Sequence, residues 1–131
     1  MASKSSAALR RLGGWLLVAA LLMTDAHGAP APAARVEIDY LLSAIETSGC
    51  TFYRNGSWYD AKSAAAHLRS KYEYLLARDA ISDADAFIDN AATKSSISGR
   101  AYAIRCQGSP DVSSHDWLTR QLEQYRRAAG S

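Results

Sequence analysis

Apolar residues recur at helical spacing from Arg35 onward. Ile38, Leu41, Leu42 and Ile45 stand at i, i+3, i+4 and i+7 and form one stripe. The stripe predicts a helix, and Gly49 is well placed to end it. Aromatic residues then flank an Asn55-Gly56 pair within Cys50-Thr51-Phe52-Tyr53-Arg54-Asn55-Gly56-Ser57-Trp58-Tyr59. Asn-Gly suits a type I′ turn, which needs positive φ at both central residues, so two short strands are expected here. Asp60 can cap a second helix reaching about Ala77, with Ala61, Ala64, Ala65, Leu68, Tyr72, Leu75 and Leu76 on its apolar arc. Ser82, with Asp85 three residues on, opens a third helix whose core side is Ala84, Phe87, Ile88 and Ala91. Thr93 to Gly99 is polar and turn-rich. Arg100 to Cys106 alternates, with Tyr102, Ile104 and Cys106 on one side, as a strand with one buried face does. Gln107 to Ser114 reads as a loop. Ser113 and Asp116 then open a last helix carrying Trp117, Leu118, Gln121, Leu122 and Tyr125.

The predicted order is α-β-β-α-α-β-α. It describes a small α+β domain over residues 35–131, a short antiparallel sheet with helices packed on one face. Residues 29–34, rich in Ala and Pro, read as a short extended tether. The chain has 131 residues, 48% of them hydrophobic, which is enough for one core and excludes a disordered protein.

The first 28 residues change the meaning of the net charge. Lys4, Arg10 and Arg11 precede an apolar run from Leu12 to Met23, and small residues follow at Ala26 and Gly28. This is the layout of a secretory signal peptide, with cleavage expected between Gly28 and Ala29. The apolar run falls short of the roughly 20 residues a bilayer span needs, so a retained anchor is the weaker alternative. Without the leader, basic and acidic residues balance, and the formal charge of +2 disappears. Nucleic acid as a partner then loses its sequence support, since such binding needs concentrated positive charge.

Cys50 and Cys106 both lie beyond the leader, and an exported chain meets an oxidising compartment. A Cys50–Cys106 disulfide is therefore expected, with two separate buried thiols as the alternative. A pairing would set the last strand beside the hairpin.

Several stretches together carry a family likeness. They are Ser48-Gly49-Cys50-Thr51-Phe52 with Arg54-Asn55-Gly56, His67-Leu68-Arg69 with Lys71-Tyr72, Phe87-Ile88, Ser95-Ser96-Ile97-Ser98-Gly99 ahead of Tyr102 and Cys106, and Trp117-Leu118. From about Val36 to Tyr125 the chain resembles the YfeK-like family of small exported bacterial proteins, a domain of unknown function. The resemblance implies a Gram-negative periplasmic setting and supports the cysteine pair. It brings no activity.

The main candidate site is a polar edge on the second helix. His67, Lys71 and Arg78 lie just beyond one border of its buried arc, with Tyr74 beside them. Serines Ser95, Ser96 and Ser98 of the polar loop, with Gly99, can add hydroxyl and backbone donors, and Arg54 and Asn55 at the hairpin tip can complete the set. Such groups suit a carboxylate, a phosphate or another acidic group. The competing reading is a solvated helix face beside turn serines that satisfy their own backbone. Phe52, Tyr53, Trp58 and Tyr59 either cover the sheet or offer rings for sugars or a partner protein.

Chemistry finds less support. No Gly-x-Ser-x-Gly elbow is present, and Ser96 or Ser98 with His67 has no helpful spacing. Cys50, Cys106, His67 and His115 lack zinc spacing, and Asp83, Asp85 and Asp89 lack the glycine and spacing of a calcium loop. No metal or cofactor is expected. The sequence thus favours a non-catalytic binding or accessory module of the bacterial envelope, recognising a small acidic ligand or an envelope protein. The alternatives are a small envelope hydrolase with Ser96 or Ser98 as nucleophile and His67 as base, and a structural partner of an envelope protein.

Overall fold

A computed structural model describes residues 29–130, so the expected leader and its cleavage point lie outside the described residues. The elements are α1 (Pro32–Thr47), β1 (Thr51–Arg54), β2 (Ser57–Asp60), α2 (Ala61–Leu76), α3 (Ala84–Ala91), β3 (Ala103–Arg105), β4 (Val112–Ser113) and α4 (Ser114–Ala129).

α1 buries Ala34, Ile38, Leu41, Leu42 and Ile45, the stripe read from the sequence with one residue added. It starts at Pro32, so Pro32, Ala33 and Ala34 of the expected tether belong to the helix. The physical reason is that proline's fixed φ suits a first helical turn, where its missing N–H costs nothing. Gly49 follows with φ +68°, the left-handed geometry that lets the chain leave the helix and enter β1. At Asn55-Gly56 the φ values are +50° and +87°, and the hairpin closes with Arg54 opposite Ser57, Tyr53 opposite Trp58 and Phe52 opposite Tyr59.

Each later helix opens on a side-chain cap. Asp60 accepts from the Ser63 amide at 2.7 Å, and Ser113 accepts from the Asp116 amide at 3.1 Å. α3 is capped by Asp83 rather than Ser82. The Asp83 backbone is extended and its carboxylate accepts from the Ala86 amide at 2.7 Å, where a negative charge also meets the positive end of the helix.

The sheet runs β2-β1-β3-β4, all antiparallel. β4 was expected as loop. Two residues are too few to show a pattern in sequence; Ile104 pairs with Val112 and Ala103 with Ser113 because the Gln107–Asp111 turn folds the chain back. On one face Phe52 and Ile104 face each other across β1 and β3 and are buried against the helices, where Phe52 meets the edge of Trp117 at 6.4 Å between centroids. The core continues through Ile81, Phe87, Ile88, Leu118 and Leu122.

Cys50 and Cys106 are joined by a disulfide. They sit one step beyond the paired residues Thr51 and Arg105, so strand register alone brings their Cα atoms to 4.4 Å. Away from the sheet, Arg126 of α4 holds Glu37 of α1 and Asp85 of α3, at 3.1 Å for the latter. The two carboxylates favour the charged guanidinium and raise the Arg126 pKa further.

Candidate functional site

Strand alternation decides which side chains can meet α2. Arg54 follows Phe52 by two positions, Tyr59 is the cross-strand partner of Phe52, and Tyr102 precedes Ile104 by two. All therefore stand on the covered face of the sheet, toward its hairpin end. α2 crosses that end and offers His67 and, one turn later, Lys71.

Between hairpin and helix lies a small pocket lined by Phe52, Arg54, Tyr59, His67, Tyr102 and Ser114 among others, with about 30 Å³ of room. One ordered water needs roughly 10–15 Å³ on this measure, so the pocket admits a small group and not a whole organic cofactor. Its walls are mainly aromatic and aliphatic. Its polar side includes Arg54, His67 and Tyr102.

Tyr102 is the centre of that polar side. Lys71 Nζ donates to its hydroxyl at 3.3 Å and to the Lys94 carbonyl at 2.8 Å. His67 Nε2 lies 3.4 Å from the same hydroxyl. With Lys71 donating, the phenol proton is free to point at Nε2 of a neutral His67. Arg54 stacks on the Tyr59 ring, its Cζ 4.6 Å from the centroid.

The electrostatics are one-sided. Burial pushes the His67 pKa down, and the charges of Arg54 and Lys71 push it down further. Burial also lowers Lys71. It raises Tyr102, against which Arg54 pulls in the other direction. No carboxylate is among the charges acting on these three groups. Among the described residues, neither Arg54 nor Lys71 has an ion pair.

The serine loop divides. Ser95 is buried, and its hydroxyl accepts from the Ile97 and Ser98 amides, both at 3.2 Å. It shapes its own turn. Ser98 instead donates to the Asn55 side chain and ties the loop to the hairpin tip. Ser96 is exposed. Arg78 lies apart from the pocket set, with its guanidinium 3.5 Å above the Tyr74 ring. The structure thus brings Arg54, His67 and Lys71 together, links Asn55 to Ser98 beside them, and uses Ser95 for the backbone. The hydrogen bonds of His67 and Ser98 go to Tyr102 and Asn55, which is not the serine–histidine pairing a hydrolase needs.

Tyr102 was read from the sequence only as a core residue of a strand. Its parity with Ile104 was the available signal for its direction, but nothing local showed that its hydroxyl would end between a lysine and a histidine. Ser114 also gave no sequence signal as a pocket residue. Metal chemistry gains no donor set. The cysteines are spent in the disulfide, and no three His, Cys, Asp or Glu side chains among the described residues gather around a point.

Residues 32–126 match the model of a family of unknown function, DUF5329. The chain belongs to this family. The chain is also similar to the uncharacterized protein YfeK of Salmonella typhimurium strain LT2, 38% identical over 66 residues, which are 50% of this chain and 53% of that protein. The chain thus matches about half the length of that curated relative. No solved structure matches. Among the described residues of this DUF5329 chain, no helix is long and apolar enough to cross a membrane.

Proposed function

We propose that this DUF5329 protein is a non-catalytic binding module of the bacterial envelope, and that its pocket takes a small anionic group such as a carboxylate. One observation carries the reading: Arg54, His67 and Tyr102 line the pocket, Lys71 donates to the Tyr102 hydroxyl, and no ion pair with an acidic side chain answers Arg54 or Lys71 among the described residues. Half-buried cations without an opposite charge are costly, and an arriving anion recovers that cost. The apolar walls then receive the short apolar portion next to the charge.

Binding is favoured over acid–base chemistry because of Tyr102. A catalytic phenol needs a lowered pKa, whereas burial raises this one. The envelope setting is supported by the Cys50–Cys106 bridge, since disulfides persist in oxidising compartments.

The test is an NMR titration of the protein with acetate and, separately, with inorganic phosphate. Shifts concentrated at Arg54, His67, Lys71 and Tyr102, and lost in Arg54→Ala, support the site. Shifts spread over other surfaces, or an unchanged affinity in Arg54→Ala, remove it.

A further inference from the structure

The two turns at the hairpin end of the sheet lie side by side. Ser98 donates to Asn55, and the Arg100 guanidinium reaches over Gly56, where a Cβ would stand 3.8 Å from Nη1. The second turn is itself a tight hairpin. Lys94 pairs with Ala101, the Ser95 amide donates to the Arg100 carbonyl, and the Gly99 amide donates to the Ser95 carbonyl. Its shape is imposed by the buried Ser95 hydroxyl, which accepts from two amides of the tip.

That rigid tip holds Ile97 out in solvent at 93% exposure, the most exposed large apolar side chain described. A tip held by so many hydrogen bonds has no need of an isoleucine, and burial in water-free surroundings is what an isoleucine gains from. Lys94 and Arg100 flank it, both exposed and, among the described residues, without an ion pair. From Asn90 to Pro110 the chain has no acidic residue, although the chain beyond the expected leader is balanced in charge. An exposed apolar tip therefore lies in a turn whose two ends carry exposed cations, within a stretch free of acids.

We propose that the 94–100 turn docks this protein peripherally on an anionic phospholipid bilayer, with Ile97 entering the interface and Lys94 and Arg100 meeting the lipid phosphates. Charge complementarity selects the occupant. The form of the surface selects it as well. A protein partner buries about 800 Å² on each side with matched shape, whereas a single convex apolar side chain between cations needs no matched shape, only a fluid anionic surface that closes around it. The contact is superficial and reversible. The side chains it uses differ from those of the pocket, since Ile97, Lys94 and Arg100 are not among the groups assigned to anion binding there.

The test places a reporter at the tip. With both native cysteines in the disulfide, Ile97→Cys takes an environment-sensitive nitrobenzoxadiazole label at one position. Vesicles of phosphatidylglycerol and of phosphatidylcholine are added in turn, with glycerol phosphate as a soluble headgroup control. The expected result is a blue shift and gain in emission with phosphatidylglycerol vesicles only, reversed by salt within the range where the Debye length shortens. Each Lys or Arg near such a surface is worth roughly fivefold in affinity, so Lys94→Ala with Arg100→Ala should weaken vesicle binding about 25-fold. Ile97→Ser should weaken it as well, with circular dichroism unchanged because the side chain packs on nothing. No blue shift at position 97, equal response to both lipids, or undiminished binding in the Lys94/Arg100 variant would overturn the proposal. Loss of the acetate response in Arg54→Ala with lipid binding intact would separate the pocket from the tip.

Discussion

The Lys71 ammonium lies 3.3 Å from the Tyr102 hydroxyl and 5.1 Å from its ring centroid, joining α2 to the strand that runs into β3 across 31 residues of chain. A single phenol thus receives a cation at its oxygen and at its face while His67, one helical turn before Lys71, also reaches its hydroxyl. The arrangement holds Lys71 against Tyr102 without neutralising it, because a phenol is dipolar and a carboxylate would be an opposite charge.

Tyr102→Phe removes that oxygen and keeps the ring. Lys71 retains the Lys94 carbonyl, and the hydrogen bonds lost are long, so the expected cost is about 1 kcal/mol. Urea denaturation should show a lower midpoint with an unchanged slope. The same variant should bind acetate more weakly, because the pocket loses the Tyr102 hydroxyl as a hydrogen-bond donor.

Stability should fall on the acid side through His67. Its folded pKa is depressed by burial first and by Arg54 and Lys71 second. Above about pH 6.5, the ordinary histidine value, it is neutral in both states and contributes no pH dependence. Below that, the unfolded chain binds the proton first, so stability drops as pH falls through the folded pKa. His67→Gln should flatten the midpoint-against-pH curve in this window, measured by thermal unfolding from pH 7 to pH 5.

Sulfate affinity should move the other way. A bound anion counters the charges of Arg54 and Lys71, so it raises the His67 pKa and binding takes up a proton. Sulfate stays fully ionised across this range, and calorimetry should show tighter binding at pH 5.5 than at pH 7.5. In His67→Gln the two affinities should be equal.

Reduction of the disulfide should be expensive. Cys50 and Cys106 close a loop with a sequence separation of 56. The chain-entropy relation gives roughly 4 kcal/mol for such a loop, against total stabilities of about 5–15 kcal/mol for small domains. Cys50→Ala with Cys106→Ala should lose most of that in urea melts, while reductant should shift the wild type and leave the double variant unmoved.

The fold was legible wherever its cause was local. The α1 stripe, the Asn55-Gly56 turn, and the Asp60 and Ser113 caps depend on residues within four positions of one another, and each stands as read. Where two local signals competed, Ser82 lost to Asp83, because the extended Asp83 backbone presents its carboxylate to the helix start. β4 had no local signal to read, since its existence comes from pairing with β3.

What the chain alone determined was the set of elements apart from β4, the pairing partner of each cysteine and the basic residues available to a site, because periodicity, turn chemistry and a count of two cysteines act without knowledge of packing. Only the tertiary structure decided that Tyr102 would stand between Lys71 and His67, that Ser95 would serve its own turn while Ser98 crossed to Asn55, and that Ile97 would stay in solvent. Those outcomes depend on strand register and on how α2 crosses the sheet. Both are fixed by burial summed over the whole core, which no short window of sequence contains.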